Sequence, residues 1–243
     1  MRRGLRVRLR YMARRFLWDI RKDYEEPDYY LLPLLVDPTR AAIDVGGNYG
    51  AYAGRMAQLT SRVHCFEPNS AAAAKLATRL PHSVTLHQVA ASQTAGQATF
   101  FIPQKGDGSR AGANATIEAQ NPVATAARET STVTTARLDQ VVTEPIGFIK
   151  IDVEGHERAV LEGAERILRE DRPTVLVETT RLLNPAAPND VFALMKGHGY
   201  EGLFLYRGRL TPLSAFREDV HQAIGVDGKP MSDHVYNFIF LPA

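Results

Sequence analysis

Glycines and a carboxylate follow the first predicted strand, in a pattern that could bind a nucleotide-like cofactor. The apolar run Ala41–Val45 contains Asp44 and leads directly into Gly46-Gly47-Asn48-Tyr49-Gly50. Glycines let the backbone turn tightly and approach a ligand closely. Ligands of parallel α/β sheets bind at the carboxyl ends of the strands. We therefore predict that this loop binds a cofactor through Asp44, Gly46, Gly47, Asn48 and Gly50.

The order of these residues favours S-adenosylmethionine over a dinucleotide. The dinucleotide fingerprint G-x-G-x-x-G needs its first glycine at the position of Val45. The negative charge of Asp44 suits a ligand with a positive amino group or sulfonium better than one with phosphates. Glu67 ends the second predicted strand, where its carboxylate could accept hydrogen bonds from both hydroxyls of a ribose.

A second group of acids ends the strongly apolar run Ile146–Val153. Acids in such a place are costly to desolvate unless they are paired, so we interpret Asp152 and Glu154 as part of a site. Asp152 is a candidate ligand for the amino group of the methionine part of the cofactor. Asp152, Glu154 and His156 are the candidates for removing a proton from the acceptor. Alternatively, Glu154 and Glu157 only stabilise the start of the next helix, which His156 caps.

A parallel sheet is needed to bring these segments together. From residue 41 onwards, short apolar runs alternate with helical patterns, which is typical of a doubly wound α/β fold. We predict that Tyr200–Tyr206 and Val235–Leu241 form an antiparallel pair at the sheet edge. Residues 103–131 are rich in small and polar side chains. They are predicted to form a flexible loop, either a flap over the substrate or a plain insertion.

The N-terminal residues have a different character from the rest of the chain. Nine Arg and Lys residues, but only one acid, fall within the first 22 residues. Apolar side chains at helical spacing predict a basic amphipathic helix over residues 5–20, within an extension that spans residues 1–38. This helix either packs on the domain or contacts an anionic membrane surface or an acidic partner through residues 1–22. Residues 39–243 are expected to form one domain.

Other features bear on the class of protein. The formal net charge of +2 does not indicate a nucleic-acid-binding protein. No run of 18 apolar residues is present, so a cytoplasmic protein is expected. The single cysteine, Cys65, lies in an apolar run and is predicted to be buried and inert. The seven histidines lack metal-binding spacing, so no metal is expected, although Asp152, Glu154 and Glu178 could surround Mg²⁺.

The chain resembles the FkbM family of methyltransferases over about residues 40–242. The resemblance rests mainly on Ile43–Gly50, Phe66–Pro68, Arg137–Asp139 and Ile149–Glu157. It implies the seven-stranded, mostly parallel sheet of class I methyltransferases, with S-adenosylmethionine as the cofactor. It also implies O-methylation of a hydroxyl on a carbohydrate or another small molecule, such as a natural product.

The resemblance also assigns roles to single residues. It places Asp152 near the methionine end of the cofactor and gives the remaining contacts to Asp44, Gly46, Asn48, Gly50 and Glu67. Many class I enzymes bind the adenine amino group through an acid after the third strand. This chain has Ala90-Ala91-Ser92-Gln93 there, so the backbone near Ala90 or the Ser92 hydroxyl would have to bind the adenine instead.

Two other functions remain open from the sequence. One is a nicotinamide-dependent oxidoreductase on the same architecture. The other is a non-catalytic module that docks through its basic N-terminal helix. Fold alone does not separate these functions, because one fold supports many activities. The identity of the acceptor and the oligomeric state are left open by the sequence.

Overall fold

The computed structural model describes residues 26–103, 115–119, 121–122, 129–184 and 186–243. The predicted helix over residues 5–20 lies outside these ranges, as does most of the predicted loop 103–131. Within these ranges, no helix is both long enough and apolar enough to span a membrane.

The described residues form eleven strands, which belong to two sheets. In chain order, they are β1 Ala41–Val45, β2 Val63–Phe66, β3 Val84–His87, β4 Ala90–Ala91, β5 Gly96–Ile102, β6 Glu129–Ala136, β7 Ile146–Ile151, β8 Thr174–Glu178, β9 Tyr200–Tyr206, β10 Arg209–Pro212 and β11 Asn237–Pro242. The central sheet has the order β3-β2-β1-β7-β8-β11-β9-β10, and the small second sheet has the order β4-β6-β5. The first five strands of the central order are parallel, and the remaining pairings are antiparallel.

The predicted fold class is confirmed, but the central sheet has eight strands instead of seven. The additional strand is β10, which pairs with β9 at the sheet edge. Its sequence, Arg-Leu-Thr-Pro, has no apolar run and ends in a proline, which sheets tolerate at edges. The predicted antiparallel pairing of β9 with β11 is confirmed, but β11 lies inside the sheet between β8 and β9. Strand β6 begins at Glu129, within the segment predicted as a loop.

Short helices connect the strands and cover both faces of the central sheet. They are α1 Leu32–Leu35, α2 Ala51–Met56, α3 Ser70–Ala77, α4 Leu138–Val141, α5 Glu157–Glu162, α6 Asn189–Gly197 and α7 Glu218–His221, with 3₁₀ turns at Pro27–Leu31 and Leu213–Ala215 and a π turn at Ile167–Asp171. Helix α3 begins after Asn69, whose side chain accepts hydrogen bonds from the amides of Ala71 and Ala72.

Each face of the sheet has its own hydrophobic core. Successive residues of a strand point to opposite faces, so Ile43 and Ile149 pack with α5 on one side, whereas Ala42 and Phe148 pack with α2 on the other. Leu31 and its neighbours also belong to the second core, so residues that precede β1 help to cover this face. The two cores together hold the sheet so that the carboxyl ends of β1, β2, β7 and β8 lie along one edge.

Candidate cofactor site

A cavity opens at the carboxyl ends of β1, β2 and β7. Its volume of about 590 Å³, including the open mouth, lies in the range of small-molecule sites. The sequence-predicted residues that line it are Gly46, Asn48, Glu67, Ala90, Asp152, Glu154 and His156. The three predicted residues outside its lining are Asp44, Gly47 and Gly50. The structure therefore brings most of the predicted site together.

The glycines outside the lining position the loop that follows β1. A Cβ atom at Gly47 would collide with the Sγ atom of Cys65, and one at Gly50 would collide with the Leu76 side chain. At Gly46, which has φ of +90°, a Cβ atom would collide with the backbone carbonyl of Asp152. The loop therefore packs tightly between the ends of β2 and β7, and this packing shapes the cavity wall.

Glu67 presents an oriented carboxylate to the cavity. Its Oε2 atom accepts a hydrogen bond of 2.8 Å from the amide of Asn48, and its Oε1 atom accepts one of 2.8 Å from the amide of Asn69. Burial raises the pKa of Glu67, and these two amides oppose the shift. Each carboxylate oxygen has two lone pairs, so each can accept one more hydrogen bond. This geometry suits a pair of neighbouring hydroxyls.

Lys150 is buried among carboxylates, one of which, Asp152, lines the cavity. Its side chain is fully buried, and its Nζ atom lies 3.7 Å from Asp152 Oδ2 and 3.9 Å from Glu178 Oε2. Burial alone would lower the pKa of Lys150, but Asp152, Glu178, Glu26 and Asp44 together raise it. The ammonium lies near both Asp152 and Glu178, two of the carboxylates considered above as Mg²⁺ ligands.

Asp44 belongs to this buried cluster instead of the cavity wall. Its side chain is 2% exposed, and its Oδ2 atom has no hydrogen-bond partner among the residues described. Burial raises the pKa of Asp44 to about 7, and the charge of Lys150 opposes the shift. Asp44 is not among the residues that line the cavity, and its contact with the cofactor stays a prediction.

Glu154 lies in a backbone conformation that the structure holds in place. Its φ is +55°, and its carbonyl accepts hydrogen bonds from Thr116 Oγ1 at 2.8 Å and from Asn121 Nδ2 at 2.5 Å. Burial raises the pKa of Glu154 to about 8, with further contributions from Asp152 and Glu178. A carboxyl with this pKa is suited to exchange a proton near neutral pH.

Glu157 stabilises the start of α5, as the alternative interpretation suggested. It is buried, and its Oε1 atom accepts a 2.7 Å hydrogen bond from the amide of Gly155. Burial raises the pKa of Glu157 to about 7. Glu157 is not among the residues that line the cavity.

His156 lies on the wall formed by the segment that follows β3. Its Nε2 atom is 2.9 Å from Ser92 Oγ, and its Nδ1 atom is 3.4 Å from Glu118 Oε2. Burial lowers the pKa of His156, while Glu118 opposes the shift. The side chain makes no capping hydrogen bond at the start of α5. His156 is thus fixed beside Ala90 and Ser92, where the adenine contacts are expected.

Three functional candidates were missed by the sequence reasoning. Lys150 forms a charge cluster with Glu178, which was considered only as a ligand for Mg²⁺, and Thr116 and Asn121 hold the Glu154 backbone. A lysine within the apolar run Ile146–Val153 is a signal that could have identified Lys150, because buried lysines need partners. Thr116 and Asn121 carry no such signal, since they lie in a segment without periodicity.

Comparisons with known proteins show the family of the chain. The family model described as the methyltransferase FkbM domain matches residues 44–201, which is more than half of the chain. This match includes the glycine loop, Glu67 and the acids after β7. No curated protein matches the chain in sequence.

Several solved structures resemble this chain at low sequence identity. A methyltransferase FkbM from Methylobacillus flagellatus KT is 13% identical with a TM-score of 0.51, and the alignment covers 96% of this chain and 59% of that one. This chain therefore spans less than two thirds of that relative. A precorrin-6y C5,15-methyltransferase from Geobacter metallireducens GS-15 is 11% identical over 91% of this chain and 93% of that one, with a TM-score of 0.47. M. capricolum TrmK, in complex with S-adenosylhomocysteine, is 10% identical over 89% of this chain and 68% of that one, also with a TM-score of 0.47. Because the family model matches more than half of the chain, the chain belongs to the FkbM methyltransferase family.

Proposed function

We propose that the protein is an S-adenosylmethionine-dependent O-methyltransferase that acts on a hydroxyl of a sugar, a polysaccharide or a small natural product. The observation that carries the proposal is the oriented carboxylate of Glu67, which faces a cavity lined by Gly46 and Asp152. S-adenosylmethionine is the methyl donor that family membership and this cavity support.

The lining residues fit the parts of this cofactor. Glu67 would accept hydrogen bonds from the two ribose hydroxyls. Asp152, whose side chain is 33% exposed, would pair with the amino group of the methionine part. Ala90 and Ala91 supply apolar surface for the adenine ring, and Ser92 is held nearby by His156. The surplus of carboxylates around Lys150 favours a ligand that carries positive charge.

The cofactor supplies a methyl group that its sulfonium has already activated for in-line displacement. The protein must hold the acceptor oxygen in line and exclude water from the cavity. Alignment of two reactants can contribute about 7–11 kcal/mol to lowering the barrier. The close approach of Gly46 to the carbonyl of Asp152 and the hydrogen-bonded backbone of Glu154 are suited to that task.

The proton of the acceptor hydroxyl would pass to a buried carboxylate. Glu154 and Glu178 both have raised pKa values, with burial as the largest cause. A base whose pKa is near the working pH adds roughly 10²–10⁴-fold to the rate. His156 is the weaker candidate, because its two ring nitrogens already face Ser92 and Glu118.

Transfer of an isotopically labelled methyl group tests this proposal. The protein is incubated with methyl-labelled S-adenosylmethionine and a set of sugars, glycosides and phenolic or alcoholic natural products, and products are analysed by NMR. The chemical shift of the labelled carbon distinguishes methyl groups on oxygen from those on nitrogen or carbon. We expect O-methyl products from the native protein and none from Glu67→Ala. Label found only on nitrogen or carbon would contradict the proposal.

A further inference from the structure

The turn that follows β7 has a backbone conformation that its own sequence does not favour. Glu154 has φ of +55° and Gly155 has φ of +98°, so two consecutive residues lie in the left-handed region. This region costs free energy for a glutamate, because its Cβ atom crowds the backbone. Such residues persist where the surrounding structure holds them, and they cluster at functional sites. Glu154 lines the cofactor cavity, whereas Glu178 does not, so this turn determines where a cavity-facing carboxylate lies.

Side chains from two other segments hold this turn. The carbonyl oxygen of Glu154 accepts hydrogen bonds of 2.8 Å from Thr116 Oγ1 and of 2.5 Å from Asn121 Nδ2. The carbonyl oxygen of Gly155 accepts one of 3.3 Å from Asn184 Nδ2. A carbonyl oxygen has two lone pairs, so both acceptor positions of the Glu154 carbonyl are used. A change of the turn to an ordinary conformation would rotate this carbonyl away from its donors.

The two donors to Glu154 are supported by the small second sheet. Thr116 forms an antiparallel bridge with Phe101 of β5, through backbone hydrogen bonds of 2.8 and 3.1 Å. The Thr116 hydroxyl also accepts a hydrogen bond of 3.0 Å from the amide of Glu118, whose carbonyl accepts one of 3.2 Å from the amide of Asn121. Thr116 and Asn121 are both buried. The donors are therefore tied to β5 and to each other.

The properties of the Glu154 carboxyl depend on its position in the cavity. Burial is the largest cause that raises its pKa to about 8. Repulsion from Asp152, Glu178 and Glu157 adds to the shift, and the charge of Lys150 opposes it. A carboxylate that turned out into water would lose the effect of burial, and its pKa would fall towards the ordinary value of about 4.3. The pKa of Glu154 therefore reports whether the turn is held.

We propose that Thr116 and Asn121 are positioning residues for Glu154 as the proton acceptor of methyl transfer, and that the second sheet supports them in this role. They hold the left-handed turn so that the carboxylate stays in the cavity. The O–H proton of the acceptor passes to a carboxylate oxygen of Glu154 while the acceptor oxygen bonds to the methyl carbon. The electron pair of the carbon–sulfur bond that breaks stays on sulfur. This inference rests on the proposed function.

Titration of Glu154 by NMR tests the proposal without an acceptor. Glutamate labelled at its carboxyl carbon is incorporated into the full chain, and the signal of Glu154 is the one that Glu154→Gln removes. Thr116→Val and Asn121→Leu keep the shape of each side chain and remove the donor. We expect the pKa of Glu154 to fall from about 8 to about 7 or lower in each variant, because the carboxylate gains water. Native titration of Glu154 in both variants would overturn the proposal.

Two further variants are the controls for this titration. Thr116→Ser keeps the hydroxyl and should restore the native titration. Thr99→Val makes the same chemical change as Thr116→Val at an exposed position of β5 outside the cavity, and should leave the titration unchanged. The free energy of unfolding of every variant is measured in urea. Lower stability combined with a native Glu154 titration would show that these contacts only stabilise the fold, and would overturn the proposal.

Methyl transfer supplies a second readout, with an acceptor identified by transfer of the labelled methyl group. We expect Thr116→Val and Asn121→Leu to lower kcat about tenfold or more, because the base is displaced. The midpoint of the rise of kcat/KM with pH should move down together with the pKa of Glu154. The KM for S-adenosylmethionine should change less than about twofold in Asn121→Leu, since Asn121 does not line the cavity. A native kcat and a native midpoint in both variants would contradict the positioning role.

The outcomes separate this inference from the proposed function. If the native protein neither binds S-adenosylhomocysteine nor transfers methyl groups to oxygen, the proposed function itself fails. If it does both, but the two variants keep the native kcat and the native titration of Glu154, only the further inference is wrong. Asn121→Leu keeps the test decisive if Thr116→Val does not fold.

Discussion

The Nζ atom of Lys150 lies 3.7 Å from Oδ2 of Asp152, so the strand that carries the cofactor-facing acid also carries its buried counterion. Replacing Lys150 by Met keeps the length of the side chain but leaves the surrounding carboxylates without their cation. Loss of one partner of a buried ion pair costs about 3–5 kcal/mol. We expect Lys150→Met to lower the free energy of unfolding by about that amount in urea denaturation at pH 8.5. The loss should be smaller at pH 6.5, because the carboxyls can then take up protons.

Lys196→Met is the matched control for this substitution. Lys196 is exposed in the last turn of α6, so its loss should change the free energy of unfolding by less than about 0.5 kcal/mol. Equal stability of the Lys150 and Lys196 variants at both pH values would show that the cluster does not depend on its lysine.

The stability of the ligand-free protein should decrease as the pH rises from 6.5 to 8.5. Burial raises the pKa of Asp28, Asp44 and Glu157 to about 7 and that of Glu154 to about 8. Groups with raised pKa values stabilise the folded state fully below their unfolded pKa of about 4, and this contribution disappears as the pH rises through the folded values. Glu154→Gln should reduce the decrease measured in urea by on the order of 1 kcal/mol. A free energy of unfolding that rises over this interval would contradict these pKa directions.

Two glycine substitutions test the packing of the cofactor loop. Gly46→Ala places a methyl group against the Asp152 carbonyl at a φ of +90°, so we expect loss of cofactor binding and a stability loss above about 2 kcal/mol. Gly54→Ala, in helix α2, has open space around the new Cβ atom and should stabilise the protein by about 0.5–1 kcal/mol. Calorimetric melting and S-adenosylhomocysteine titration measure both effects. Native affinity in Gly46→Ala would show that the loop can move away from β7.

The pH dependence of methyl transfer should identify the base. With Glu154 as the base, kcat/KM should rise with pH through the pKa of this carboxyl, which burial raises to about 8, since only its ionised form accepts a proton. We expect Glu154→Gln to lower kcat by roughly 10²–10⁴-fold and to remove this rise. His156→Gln should change kcat by no more than a few-fold and should leave the shape of the pH profile unchanged. A flattened profile in His156→Gln, with Glu154→Gln unaffected, would assign the base to His156 instead.

Local sequence patterns were sufficient to predict which segments meet at the candidate site. The glycine loop after β1, Glu67 after β2 and Asp152 after β7 are each identified by the residues next to them. Parallel strands then bring their carboxyl ends together, and the cavity lies at that edge. Edge strand β10 was missed because four residues with one apolar side chain carry no periodic signal.

The charge cluster could not be predicted in the same way. Lys150 contacts Glu178 and is influenced by Glu26, which lies far away in the chain. Such contacts depend on how β7 and β8 pair and on how residues before β1 fold back over the sheet. For the same reason, the sequence did not predict that the carboxylate of Asp44 is buried near Lys150.

Calorimetric titration with S-adenosylhomocysteine tests the central claim most directly. It is performed on the native protein and on Glu67→Ala, with the folded state of each checked by circular dichroism. We expect micromolar binding to the native protein and at least 100-fold weaker binding to the variant, because two hydrogen bonds to a carboxylate contribute roughly 1.5–3 kcal/mol each. Absence of binding to the folded native protein, or equal binding to both, would contradict the assignment of this cavity to the cofactor.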